Sequence, residues 1–406
     1  MVPEATHDNA VGLVLTGGGA RAAYQVGVLQ AIDAIRQDCG ASMHSPFRIF
    51  AGTSAGAINA SALACRGDNF SDAVAELARV WGSFHAEQVY RAGSLAVIRT
   101  GAPWLTMMSL GWLVTRWTRV KPRSLLDNSP LEALLADMIR WDRLPKLMHR
   151  GIVDALAITA SSYTSGMHVT FYESERDIAP WSRSQRFAIR ARLGPEHLLA
   201  SSAIPFVFPS VALDCGEQAE WFGDGAMRQA APISPAVHLG ASRVLVVGAG
   251  RMHEPPGRVL PPSGYPSVAQ VAGHALSNIF LDALAVDVER LQRINATVSL
   301  LDAAARLRTS LRPIDALVIA PSQRLDDLAA QHVHNLPRTI RQLLGAVGVS
   351  GQANDVRGAA LASYLLFEAP YTQALMALGM SDTLARRADV IRFFGWTVAS
   401  GSVLPS

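Results

Sequence analysis

The chain has 406 residues, of which 50% are hydrophobic and 17% charged, with a formal net charge of +3. That length exceeds the size at which one hydrophobic core stops growing, and the charged fraction falls below the roughly 25% of an average soluble domain. The composition excludes disorder, calls for a large core, and gives too little positive charge to read as a nucleic-acid platform.

Cys39, Cys65 and Cys215 are odd in number and widely spaced, which fits neither a disulfide framework nor a metal site. The reading that follows is a reducing, cytoplasmic location with no metal or other cofactor. Glu4, Asp8 and the short apolar run Val11 to Leu15 do not make a secretory signal. No window reaches the ~20 apolar residues of a membrane span.

Short apolar runs alternate with helix-length stretches, the pattern of a mostly parallel sheet covered on both faces. Gly12 to Leu15 reads as a first strand, and Arg21 to Ile35 as a helix with Val28, Leu29, Ile32 and Ile35 on one face. A second strand is predicted at Phe47 to Ala51 and a small-residue helix at Ala55 to Ala64. Further strands are predicted at Ala155 to Thr159, Val169 to Tyr172, Trp221 to Phe222 and Val244 to Val247. The Pro- and Gly-rich stretch from Arg251 to Pro266 is a loop, and Ser267 caps a long helix bearing Val271, Ile279, Leu284, Val288 and Leu291. Ile314 to Ala320 reads as a last strand, and the pattern from Asp326 onward is helical. Residues 9–320 are therefore expected to form an α/β domain, and 321–406 a helical C-terminal region.

Three segments carry chemistry. Gly52-Thr53-Ser54-Ala55-Gly56 is a G-x-S-x-G between a strand and a helix, a sharp turn that lifts a serine hydroxyl clear of the sheet. The following helix aims its N-terminal amides at the same spot. Gly17-Gly18-Gly19-Ala20-Arg21 also lies between a strand and a helix. It lacks the Lys-Ser/Thr of a P-loop and the spacing of G-x-G-x-x-G, so bare amides converging on an oxyanion are the better reading. Asp224, in Gly223-Asp224-Gly225-Ala226, ends a strand, where such folds collect catalytic groups, although Asp-Gly is also a common turn. His197, His238 and His274 lie in no catalytic motif.

Together these segments resemble the patatin-like phospholipase family, with further matches at Ala57-Ile-Asn59, Ala200 to Pro209, Asp287 to Asn295 and Ser363 to Glu368. Ala22 stands where the family usually has glycine, and Ala226 where many members have a second one. The resemblance implies a three-layer α/β fold and a Ser54–Asp224 dyad without histidine. It also implies oxyanion donors at Gly17, Gly18, Gly19 and Ala55, and hydrolysis of phospholipids or other lipid esters. Arg21 is open to two readings, a ligand for a lipid phosphate or a surface charge at a helix start. The rivals are a Ser-His-Asp esterase of ordinary α/β-hydrolase type and a non-catalytic lipid-binding protein on the same fold.

Between Arg91 and Arg123 lie Arg99, Arg116, Arg119 and Lys121, no acidic residue, and Trp104, Trp112 and Trp117. This stretch suits either a cap over the site or peripheral docking on an anionic membrane.

Overall fold

The computed structural model describes residues 10–91, 124–216, 218–227, 229–252, 268–346 and 359–397. The stretch 92–123, which holds the tryptophans and all but one of the basic residues of the cap-or-membrane reading, lies outside them. So do the loop 253–267 and its Ser267 cap.

The predicted strands form one twisted sheet. Strands β1 (Val11–Leu15), β2 (Ile49–Thr53) and β3 (Ala155–Ser162) run parallel, with β4 (His168–Glu173) antiparallel beyond β3. Two short strands that periodicity did not announce, β5 (Ser182–Arg183) and β6 (Arg186–Arg190), extend that edge. A hairpin of β7 (Val211–Asp214) and β8 (Ala219–Gly223) pairs antiparallel with the end of β3. On the other side of β1 lie β9 (Arg243–Val247) and β10 (Asp315–Ile319), both parallel to it. The order β10-β9-β1-β2-β3-β4-β6-β5 makes β1 the switch point, from which the chain departs in both directions. Crevices at such points, beyond the carboxyl ends of the strands, are where α/β sheets place their ligands.

Burial on both faces explains why the central strands read as continuous apolar runs rather than alternating ones. Leu13, Leu245 and Leu317 share a register and face one layer, while Val14, Val246 and Val318 face the other. The first layer holds α1 (Ala23–Asp38), α2 (Ala55–Ala64), α3 (Phe70–Gly82) and α4 (Ser129–Met138). On that side too is α5 (Pro195–Ser201). The second layer is covered by α6 (Val268–Ser299), through Leu284, Val288 and Leu291. The fold is a three-layer α/β sandwich.

The C-terminal helices α7 (Leu325–His332), α8 (Ala359–Leu365), α9 (Ala369–Leu384) and α10 (Arg387–Phe394) belong to the first layer's core. Helix α9 lies along α1, with the Tyr24 hydroxyl donating to Asp382 Oδ2 (3.0 Å). At the foot of β2, Phe47 meets Phe50, Phe70 and Phe394 edge-on, with ring centroids 6.3, 5.9 and 5.6 Å away. Such edge-to-face contacts add to the apolar area that the rings bury.

This shared core yields a prediction. Phe47→Ala should lower the unfolding free energy by ~3–5 kcal/mol, as for other fully buried aromatics. Urea unfolding followed by far-UV circular dichroism measures it, and an unchanged midpoint would contradict the shared core.

Candidate active site

Ser54 and Asp224 meet because the strand register brings their elements to one level. Thr53, at the carboxyl end of β2, lies beside Thr159 of β3. Strand β8 runs back down along β3, pairing Gly223 with Ser161, and so delivers Asp224 to the same height. The Ser54 hydroxyl donates to Asp224 Oδ2 at 2.6 Å.

The elbow is strained. Ser54 has φ 55° and ψ −133°, a region non-glycine residues rarely occupy, at a cost of about 1–3 kcal/mol. Its neighbours hold it there. The Ser54 N–H donates to Ser201 Oγ (2.8 Å), and that hydroxyl donates to the Thr159 carbonyl (2.6 Å). Helix α2 then rises against the end of β1 so closely that a Cβ on Gly56 would sit 2.3 Å from the Leu15 carbonyl oxygen. Only glycine allows that approach, and it sets the N-terminus of α2 beside the glycine loop.

Asp224 has no exposed surface. Oδ1 accepts from the Ala226 N–H (2.8 Å) and Oδ2 from Ser54. Burial penalises the carboxylate more than these two bonds stabilise it, so its pKa is pushed up from the ordinary 3.8 to about 7. The Asp224 N–H donates to the Ala203 carbonyl (2.9 Å) and the Gly225 N–H to the Ser201 carbonyl (3.0 Å), which fix the turn from behind. His168 also holds it, with Nε2 at 2.8 Å from the Gly225 carbonyl oxygen. Burial pushes the His168 pKa down to about 4, so the ring is neutral at ordinary pH.

The backbone amides of Gly17, Gly18, Gly19 and Ala55 find no hydrogen-bond acceptor among the described residues. Gly19 and Ala55 line the same pocket as Ser54. The remaining walls are almost entirely apolar: Ile58, Trp81, Phe84, Val89, Leu131, Leu134, Met138, Ile204, Phe208 and Phe367. Trp81 presents its ring because its N–H is already used, donating to Asn59 Oδ1 (2.9 Å). Asn59 in turn donates to Gln25 Oε1 (3.0 Å), and Gln25 to the Thr16 carbonyl (2.7 Å). One buried polar network thus joins the pocket wall, the elbow helix and the start of the glycine loop.

Arg21 departs from both expectations. It is 2% exposed, so it is no surface charge. Its guanidinium pairs with Asp326, donates through Nε to Ser363 Oγ (2.8 Å) and lies 4.0 Å over the Tyr364 ring. A cation so enclosed is not available to a lipid phosphate, and Arg21 is corrected from substrate ligand to buried structural cation. Its partner lies 305 positions away, beyond any local signal.

The histidines weighed in the sequence sit apart from the Ser54–Asp224 pair. His197 packs edge-on against Phe171 and accepts from the Gly194 N–H, His238 stacks on Trp181, and His274 is exposed on α6. Sequence reasoning missed Ser201, Gln25 and His168. Ser201 stands in a stretch already matched to the family, so its place, though not its bond to Ser54, was available.

Among the described residues no group of His, Cys, Asp and Glu is arranged to hold a metal ion, and no helix is long and apolar enough to cross a membrane.

A model of the family described as patatin-like phospholipase matches residues 13–237. Among solved structures, the chain is similar to VipD from Legionella pneumophila at 13% identity, covering 91% of this chain and 67% of that one, with a TM-score of 0.30. It is also similar to the type III effector protein ExoU at 15% identity, covering 98% and 90%, with a TM-score of 0.25. ExoU of Pseudomonas aeruginosa in complex with SpcU gives 14% identity, coverage of 95% and 80%, and a TM-score of 0.21. No curated protein matches the chain. The family match spans more than half of the sequence, from β1 through the elbow to Asp224, and the chain belongs to the patatin-like phospholipase family, which places it among lipid ester hydrolases.

Proposed function

We propose that the chain hydrolyses carboxylic esters of lipids through an acyl-enzyme on Ser54, with Asp224 as the only side-chain base. The observation that carries this reading is the 2.6 Å hydrogen bond from the serine hydroxyl to a buried carboxylate, at the end of an apolar pocket.

The acyl chain enters the pocket, whose aromatic and aliphatic walls favour it by excluding water. Asp224 takes the Ser54 proton as Oγ attacks the ester carbonyl carbon. Negative charge gathers on the former carbonyl oxygen, where the unpaired amides of Gly17, Gly18, Gly19 and Ala55 hold it. The helix dipole of α2 has the favourable sign there. As the intermediate collapses, the carbon–oxygen bond to the alcohol breaks and protonated Asp224 returns its proton to that alcohol. A water then gives its proton to Asp224, attacks the acyl carbon and releases the fatty acid, with Ser54 reprotonated. An aspartate at its ordinary pKa would be a feeble base for this cycle, and burial brings Asp224 to about 7, close to working pH.

Three outcomes test the reading. Ser54→Ala should lose lipid esterase activity by about 10³-fold or more while remaining folded, since the covalent route needs that oxygen. Near-wild-type turnover on a chromogenic acyl ester would end the assignment.

For Asp224, kcat/KM should rise with pH through a midpoint near 7, because below it the carboxyl is protonated and cannot take the serine proton. The same raised pKa makes the folded protein hold a proton that the unfolded chain releases between about 4 and about 7. Its contribution to stability therefore falls as pH rises across that window. Asp224→Asn should accordingly be inactive yet melt no lower than wild type at pH 8. An acid limb near pH 4, or a variant that melts well below wild type, would contradict the buried-base account.

The pocket gives the third outcome. Leu134 is one of its apolar wall residues, and Leu134→Trp should fill part of the pocket and cut kcat/KM for long-chain esters by about tenfold relative to short-chain ones. An unchanged chain-length profile would place the acyl chain elsewhere.

A further inference from the structure

Arg21 is a large buried cation whose head contacts three residues of two C-terminal helices, and it is not among the residues that line the pocket. A guanidinium in that position needs partners to offset the loss of water. Asp326 of α7 supplies the charge, Ser363 of α8 accepts from Nε, and the Tyr364 ring covers the planar face. The Ser363 hydroxyl donates onward to the Ala360 carbonyl (2.6 Å), which fixes it as an acceptor for Arg21.

The same residue anchors the glycine loop. The Arg21 N–H donates to the Gly18 carbonyl (3.1 Å), closing the 3₁₀ turn Gly19–Ala22. In a trans peptide the C=O and the following N–H point in opposite directions. With the Gly18 carbonyl turned in to Arg21, the Gly19 N–H is turned out, and Gly19 is the loop residue that lines the pocket beside Ser54. The loop also rests directly on α8. Gly19 has φ +54°, and a Cβ there would lie 2.3 Å from the Tyr364 carbonyl oxygen. The loop is thus fixed to α8 twice, directly at the Tyr364 backbone and through an arginine whose own head is locked by Ser363, Tyr364 and Asp326.

We propose that Arg21 is a positioning residue for the oxyanion amides, and that the C-terminal helices α7 and α8 set the loop's geometry through it. The inference rests on the oxyanion role given to this loop above. It assigns α7 and α8 a part in the reaction although neither touches Ser54 or Asp224. A loop released from this clamp keeps its apolar pocket and its dyad, and loses the aim of the Gly19 N–H. Substrate binding should therefore persist while stabilisation of the tetrahedral intermediate declines.

The test compares wild type with Asp326→Asn, Asp326→Glu and Ser363→Ala on one lipid ester, with Ser54→Ala as control. Asp326→Asn should lower kcat by about 10²-fold, the scale of a displacement of order 1 Å, with KM little changed. Its affinity for a trifluoromethyl ketone analogue of the tetrahedral intermediate should fall in step with kcat, while affinity for the product fatty acid holds. Asp326→Glu should recover most of the loss, and Ser363→Ala should move kcat the same way by less. Wild-type kcat in folded Asp326→Asn, a loss carried by KM, or unchanged analogue affinity would overturn the proposal. If Asp326→Asn does not fold, Ser363→Ala decides by the same criteria, since it removes one neutral hydroxyl and leaves the ion pair. Activity surviving in Ser54→Ala would instead bring down the dyad itself, so the two failures are told apart.

Discussion

A carboxylate with no exposed surface, accepting a 2.6 Å hydrogen bond from a serine hydroxyl, is the interaction to which the surrounding structure is built. Water would make Asp224 a weak base, and a fully dry site would keep it protonated. Two hydrogen bonds to the carboxylate, from Ser54 and the Ala226 amide, hold it between these limits, at a pKa of about 7. Each bond comes from a group whose position is fixed elsewhere. Ser54 is tied through Ser201 to β3, and the Asp224 turn is tied to Ala203, Ser201 and His168. Backbone strain at Ser54 is sustained by these contacts rather than relieved by them.

The sheet topology explains why such distant segments converge. Strands β1 and β2 end at the same level, so the loops that follow them face one crevice, and β8 enters from the opposite direction to bring the carboxylate down beside them. The apolar pocket lies on the helical layer that also contains the C-terminal helices, and Phe367 contributes to both. Chemistry and C-terminal packing therefore share one core. Change in α7 or α8 can reach the glycine loop without crossing the sheet, by way of Arg21.

Much of this was legible in the sequence, for physical reasons. Parallel strands buried on both faces produce unbroken apolar runs, so β1, β2, β9 and β10 could be located within a residue or two, and β3 at its start though three residues short at its end. The elbow carries its own signature because glycines are forced where backbones nearly touch, as at Gly56 beside Leu15. The edge strands β5 and β6 escaped notice: they are short, partly exposed and rich in arginine, and lack that signal. Arg21 was legible as a residue of the glycine-loop motif but not in its role. Its burial is created by Asp326 and Tyr364, more than 300 positions away, and no local pattern distinguishes a solvated arginine from one enclosed by distant helices. Ser201 shows the intermediate case, where a matched stretch marks a residue and only the fold reveals the bond it makes.

The central claim, that Ser54 is the atom that becomes acylated, is most directly tested by locating a covalent adduct. The protein would be treated with a fluorophosphonate at pH 8, where Asp224 is ionised, and digested for peptide mapping by mass spectrometry. The account predicts a single adduct on the peptide carrying Gly52 to Gly56, with fragment ions placing it on Ser54, and formation that slows as pH falls through about 7. An adduct on any other residue of the folded, active protein, or none while ester hydrolysis proceeds, would contradict it.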